Sequence, residues 1–89
     1  MAVLAAPVCA DLNFMVMADW GGQSIWPYTT SAEVDTAKGM GTVAADLGAS
    51  FALAVGDNFY THGVKSVDST RFQKTFEDVF TADSLNIPF

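Results

Sequence analysis

Basic side chains are scarce: four Lys and Arg stand against ten Asp and Glu in 89 residues, leaving a net charge of −6. Nucleic-acid binding replaces phosphate counterions with clustered cations. Lys38, Lys65, Arg71 and Lys74 are too few and too scattered for that, so no nucleic-acid partner is expected. The same acidity disfavours anionic lipid surfaces. No apolar run reaches the length of about 18 residues that a membrane span requires. Cysteine occurs once, at Cys9, so no internal disulfide is available and redox chemistry indicates no compartment. Asn-x-Ser/Thr glycosylation acceptors are absent. Charged residues make up 16% of the chain while 51% is hydrophobic, against about 25% charged in an average soluble domain. Such a sequence is core material short of its own surface, and it reads as one part of a larger α/β protein.

What is present falls into strands, helices and loops in a clear order. Residues 1–10 carry no charged side chain and end in the small residues Val8-Cys9-Ala10. They resemble a secretory signal peptide, although without its basic start; this predicts a secreted or lysosomal protein whose domain occupies 11–89. Leu12 to Ala18 is a nearly continuous apolar run, as is Phe51 to Val55. Both read as strands of a parallel sheet covered on both faces. Between them, Thr30 and Glu33 have capping-box spacing, and Val34, Ala37, Gly41, Ala44 and Leu47 make one apolar helix face that ends at Gly48. Glycine and alanine on that face predict close helix–sheet contact. A strand–helix–strand unit of this kind implies a right-handed parallel crossover. Thr70 and Gln73 repeat the capping spacing before a second helix with Phe72, Phe76, Val79 and Phe80 as its stripe, and Asn86–Phe89 reads as the entry to a third strand.

Each apolar run is followed by an aspartate, Asp19 or Asp57. Ligands of open parallel sheets bind beyond the carboxyl ends of the strands, and parallel neighbours bring these two carboxylates together. Adjacent carboxylates repel unless one is protonated or a cation lies between them. The position is equally that of ordinary turn aspartates. Tyr60, three residues after Asp57, is placed to turn its phenol toward the same point; phenolate is a hard ligand suited to ferric iron, and a loop-packed tyrosine is the alternative.

Ala18-Asp19-Trp20-Gly21-Gly22 and Gly56-Asp57-Asn58-Phe59-Tyr60, with Gly63-Val64, resemble the first two motifs of the purple acid phosphatases. The likeness is to their small, tartrate-resistant type, within the calcineurin-like metallophosphoesterases. Arg71-Phe72-Gln73 and Thr75 to Phe80 resemble the segment that follows, so the similarity runs from Asn13 to Phe89. The resemblance implies the strand–helix–strand–helix portion of an α/β sandwich. It makes Asp19 a ligand of a ferric ion, Tyr60 its phenolate ligand, and Asp57 a bridge to a second, divalent ion (Fe2+, Zn2+ or Mn2+). The implied reaction is acid hydrolysis of phosphate monoesters by metal-bound hydroxide. Ala18 stands where the family has glycine, a small change expected to be tolerated. The later family motifs, with their asparagine and histidines, have no counterpart in these residues, and His62 reads as a solvent-exposed loop residue. Trp20 divides between cleft wall and local packing, Asn58 reads as turn support, and Trp26 and Tyr28 as loop packing. The 89 residues are therefore expected to be a fragment that is inactive by itself, with a noncatalytic truncated product as one alternative. A small α/β phosphate-binding module is the other, disfavoured because Gln23–Thr29 separates the glycines from the helix.

Overall fold

Strand β1 (Phe14–Met17) pairs in parallel with β2 (Phe51–Ala54), Phe14 opposite Phe51 and Met17 opposite Ala54. This computed structural model describes residues 11–89, and the leader-like segment 1–10 lies outside the described residues. The two strands are shorter than the apolar runs that contain them, and only one sheet face is covered. Met15, Met17 and Ala52 point into the core, whereas Phe14, Val16, Leu53 and Val55 are exposed. Within these residues the expected cover is present on one face only. Phe14 and Phe51 stack on the open face with ring centroids 4.9 Å apart.

Helix α1 (Ser31–Leu47) crosses from the first strand to the second. Thr30 caps it as its sequence position predicts, with Thr30 Oγ1 accepting the Glu33 N–H at 3.1 Å. The reciprocal half of the capping box is missing: both carboxyl oxygens of Glu33 lack partners. Gly48 ends the helix in the left-handed region at φ 61°, where glycine carries no Cβ penalty. Its buried side is Glu33, Ala37, Gly41 and Ala44, while Leu47 is exposed and Val34 half-buried. The buried stripe is therefore rotated from the predicted one and contains a carboxylic acid.

Gly41 answers to a different neighbour from the one expected. A Cβ there would lie 2.6 Å from Ala82 Cβ, and Ser84 Oγ donates to the Gly41 carbonyl at 2.6 Å. The close approach is to the single turn Asp83–Leu85, not to the sheet. Gly39 has nothing within 4 Å of the same position. Gly39→Ala is expected to raise stability by about 0.5–1 kcal/mol through helix propensity. Gly41→Ala is expected to lose about 1 kcal/mol or more, since overpacking outweighs the same gain. Urea midpoints of the two variants check the contrast.

Helix α2 (Phe72–Glu77) is short and wide, closed by i→i+5 bonds such as Asp78 N–H to the Gln73 carbonyl at 2.9 Å. Arg71, not Thr70, occupies its N-cap, without a side-chain capping bond, so the predicted Thr70–Gln73 box does not form. Phe76 and Phe80 pack on Trp20 with centroids 5.1 and 5.7 Å from it, while Phe72, 38% exposed, packs edge-on against Phe59. Near Phe89 the chain reaches β2 with one ladder-like bond, Ala52 N–H to the Pro88 carbonyl at 2.8 Å, and no third strand occurs among the described residues. Nor, among them, is any helix long and apolar enough to cross a membrane. The result is a small mixed α/β unit in which two parallel strands end at one edge.

Candidate metal centre

Past the strands, Val55 N–H bonds the Met17 carbonyl at 2.9 Å and Asp19 N–H bonds the Gly56 carbonyl at 3.3 Å. The ladder thus runs to the two aspartates, which leave the sheet side by side. Both have left-handed backbones, Asp19 at φ 57° and Asp57 at φ 51°. That conformation costs a non-glycine residue about 1–2 kcal/mol and persists where the surroundings fix it, most often at functional sites. Here it aims two exposed carboxylates beyond the same sheet edge.

Tyr60 joins them. Its hydroxyl donates to Asp19 Oδ1, and this bond, with the negative charges of Asp19 and Asp57, pushes the phenol up to about 12. The phenol consequently holds its proton between two carboxylates, and a cation at that point reverses the sign by favouring three anionic oxygens. Two carboxylates and a phenol form a hard, all-oxygen donor set that fits an ion such as Fe3+. Among the described residues no three His, Cys, Asp or Glu side chains cluster; at this edge the third oxygen beside the carboxylates is the Tyr60 phenol. The structure therefore brings together all three residues singled out in the sequence.

The two loops that carry these three residues touch through their backbones. Tyr60 N–H donates to the Gly21 carbonyl at 3.1 Å. A Cβ on Gly21 would meet Asn58 C and Phe59 N at 2.6 Å and Tyr60 N at 2.7 Å, so this approach requires glycine. Arg71, 7% exposed, spans the junction: Nη2–H donates to the Gly21 carbonyl at 2.6 Å and Nη1–H to the Tyr60 carbonyl at 2.8 Å. Behind the first loop lies a cavity of about 290 Å³ lined by Asp19, Trp20, Gly22, Glu33 and Tyr60 among others. Glu33 is 5% exposed. Burial pushes its carboxyl up to about 7, against the pull of the nearby Thr30 backbone N–H, too poorly placed for a hydrogen bond, and of the Arg71 charge.

Glu33 and Arg71 were absent from the candidate set. Glu33 looks like an ordinary capping residue, and Arg71 stands in the sequence as one of four scattered cations and as part of Arg71-Phe72-Gln73; its one signal is a cation set among aromatic residues. Other expectations divide. His62 is exposed, as read from sequence. Ala18 is exposed, so its methyl does not crowd the strand end. Trp20 is buried against Phe59 and also lines the cavity. Trp26 is 81% exposed rather than packed, and Asn58 Oδ1 is buried without a partner rather than bonded into its turn. Gly21 and Gly22 do not open a helix, because α1 starts only at Ser31; the phosphate-loop alternative lacks its anion-binding end.

No protein-family model matches the chain. It is similar to curated proteins over most of its length. It is 51% identical over 79 residues to tartrate-resistant acid phosphatase type 5 of Oryctolagus cuniculus, covering 88% of this chain and 24% of that protein. The protein of the same name from Homo sapiens is 42% identical over 90 residues, covering 96% of this chain and 28% of its own length. Purple acid phosphatase 4 of Arabidopsis thaliana is 31% identical over 79 residues, covering 89% and 22% respectively. The chain thus spans about a quarter of the length of the curated relatives it matches.

Proposed function

Since this chain is homologous to tartrate-resistant acid phosphatase type 5 and to plant purple acid phosphatases over most of its length, we propose that it forms the first part of the binuclear metal centre of a phosphomonoesterase. In this reading the strand–helix–strand–helix unit is a portion of the metallophosphoesterase sandwich. Asp19 and Tyr60 would hold a ferric ion, and Asp57 would serve both it and a divalent ion. The observation that carries the reading is the Tyr60 hydroxyl on the Asp19 carboxylate at the joint end of β1 and β2.

When bound, such a metal pair supplies a nucleophile at low pH and neutralises charge developing on the phosphoryl group. The residues of this chain contribute placement. The left-handed backbones of Asp19 and Asp57 fix where the two carboxylates leave the sheet edge, and Tyr60, whose hydroxyl donates to Asp19, would hold an ion as phenolate, its proton passing to solvent. Trp20, wedged among Phe59, Phe76 and Phe80, holds the first loop from behind. We propose with this a secreted or lysosomal location, resting on the uncharged opening ten residues.

Three ligands do not saturate two ions, so the 89-residue chain alone is expected to show little colour with iron and little hydrolysis. The decisive experiment replaces the matching segment of the rabbit relative with this chain. The chimera is expected to hydrolyse phosphate monoesters and to absorb visible light through a phenolate–iron band, and Tyr60→Phe is expected to abolish the band. A folded, iron-loaded chimera with neither property sinks the proposal.

A further inference from the structure

Arg71 makes three side-chain hydrogen bonds, and none goes to an acid. Nη2–H reaches the Gly21 carbonyl at 2.6 Å, Nη1–H the Tyr60 carbonyl at 2.8 Å, and Nε–H the Thr75 Oγ1 at 2.8 Å. The first acceptor belongs to the loop of Asp19, the second to Tyr60 itself, and the third to α2. Thr75, fully buried, passes the connection on by donating its hydroxyl to the Tyr28 carbonyl at 2.9 Å. Tyr28 and Phe59 place their rings 5.8 and 5.6 Å from the guanidinium carbon. A buried cation is expensive and persists only when its donors are satisfied. In this case the donors are used to tie together backbone from both ligand loops.

We infer that Arg71 is a positioning residue, a guanidinium clamp that holds the Asp19 loop against the Tyr60 loop and so sets the spacing of the ligand oxygens. Its role in metal binding rests on the proposed metal centre; its geometry does not. The planar fork matters more than the charge, because the two carbonyls belong to separate loops and a guanidinium offers parallel donors at fixed spacing. A lysine keeps the charge but presents it as a single point. The Tyr60 amide, bonded to the same Gly21 carbonyl at 3.1 Å, reports directly on whether the loops stay joined.

Amide hydrogen exchange on the full 89-residue chain tests this. Arg71→Lys is expected to speed exchange at Tyr60 by about tenfold, while the Val55 amide, in the strand ladder, keeps its wild-type rate. Thr75→Val, which takes away the third acceptor and the link to Tyr28, is expected to produce a smaller change at the same amide. In the chimera, Arg71→Lys is expected to weaken Fe3+ binding, read from the visible band, by about the same tenfold factor. Equal acceleration at Tyr60 and Val55 shows a merely structural role and overturns the inference, as does an unchanged Tyr60 rate. Failure of the metal reading is seen separately, in a colourless wild-type chimera, whereas failure of the clamp is seen only in the difference between wild type and Arg71→Lys.

Discussion

Gly21→Ala is expected to part the two ligand loops and to destabilise the chain by about 3–5 kcal/mol, seen as a large fall in the urea midpoint. The residue has no need of a left-handed backbone. Its constraint is space, because the added Cβ would sit 2.6 Å from Asn58 C and Phe59 N and 2.7 Å from Tyr60 N. All three are backbone atoms, which cannot swing aside as a side-chain tip does. Relief requires the 57–60 loop to retreat, breaking the Tyr60 N–H bond to Gly21 and stretching the Arg71 bond to the same carbonyl. Overpacking alone costs about 1–3 kcal/mol and each lost bond adds about 1. A typical domain has only about 5–15 kcal/mol in total, so this one methyl removes much of the margin. In the chimera the same substitution is expected to eliminate the visible band, because Tyr60 leaves Asp19. An unchanged midpoint would show that the loops have room to separate and that their contact is incidental.

The sequence exposed this junction unevenly, for physical reasons. Strand positions, the Thr30 cap and the Gly48 stop were legible because each depends on residues close in the chain. So was the pairing of Asp19 with Asp57, since parallel neighbours bring their carboxyl ends together by topology alone. The second helix was misread because capping spacing is a local signal and Arg71 answers to distant carbonyls. With its guanidinium bonded to Gly21 and Tyr60, Arg71 stands at the N-cap and α2 runs from Phe72. At the sheet the continuous apolar runs suggest cover on two faces, and Val16 and Val55, at 59% and 62% exposure, mark the face that this chain does not itself cover. Composition reports that a residue is apolar and says nothing of which neighbour covers it.

Glu33 was the least legible residue, and it carries a large effect. Its folded carboxyl titrates at about 7 against an ordinary 4.5, chiefly because burial penalises the charge. Below pH 4.5 the proton is bound in both folded and unfolded chains and no penalty exists. Between 4.5 and 7 the unfolded chain releases it while the folded chain keeps it, so stability falls as pH rises; above 7 the loss is complete. The full shift corresponds to about 3 kcal/mol, reduced to about 2 where solvent screens the carboxyl. Glu33→Gln cannot ionise and is expected to escape that loss. Its melting temperature should exceed wild type by about 10 °C at pH 8 and match it near pH 4. The difference between the two melting curves isolates Glu33 from the other carboxylates, which titrate alike in both proteins. A pH-independent difference would mean that the carboxyl is already ionised or already solvated in the folded chain.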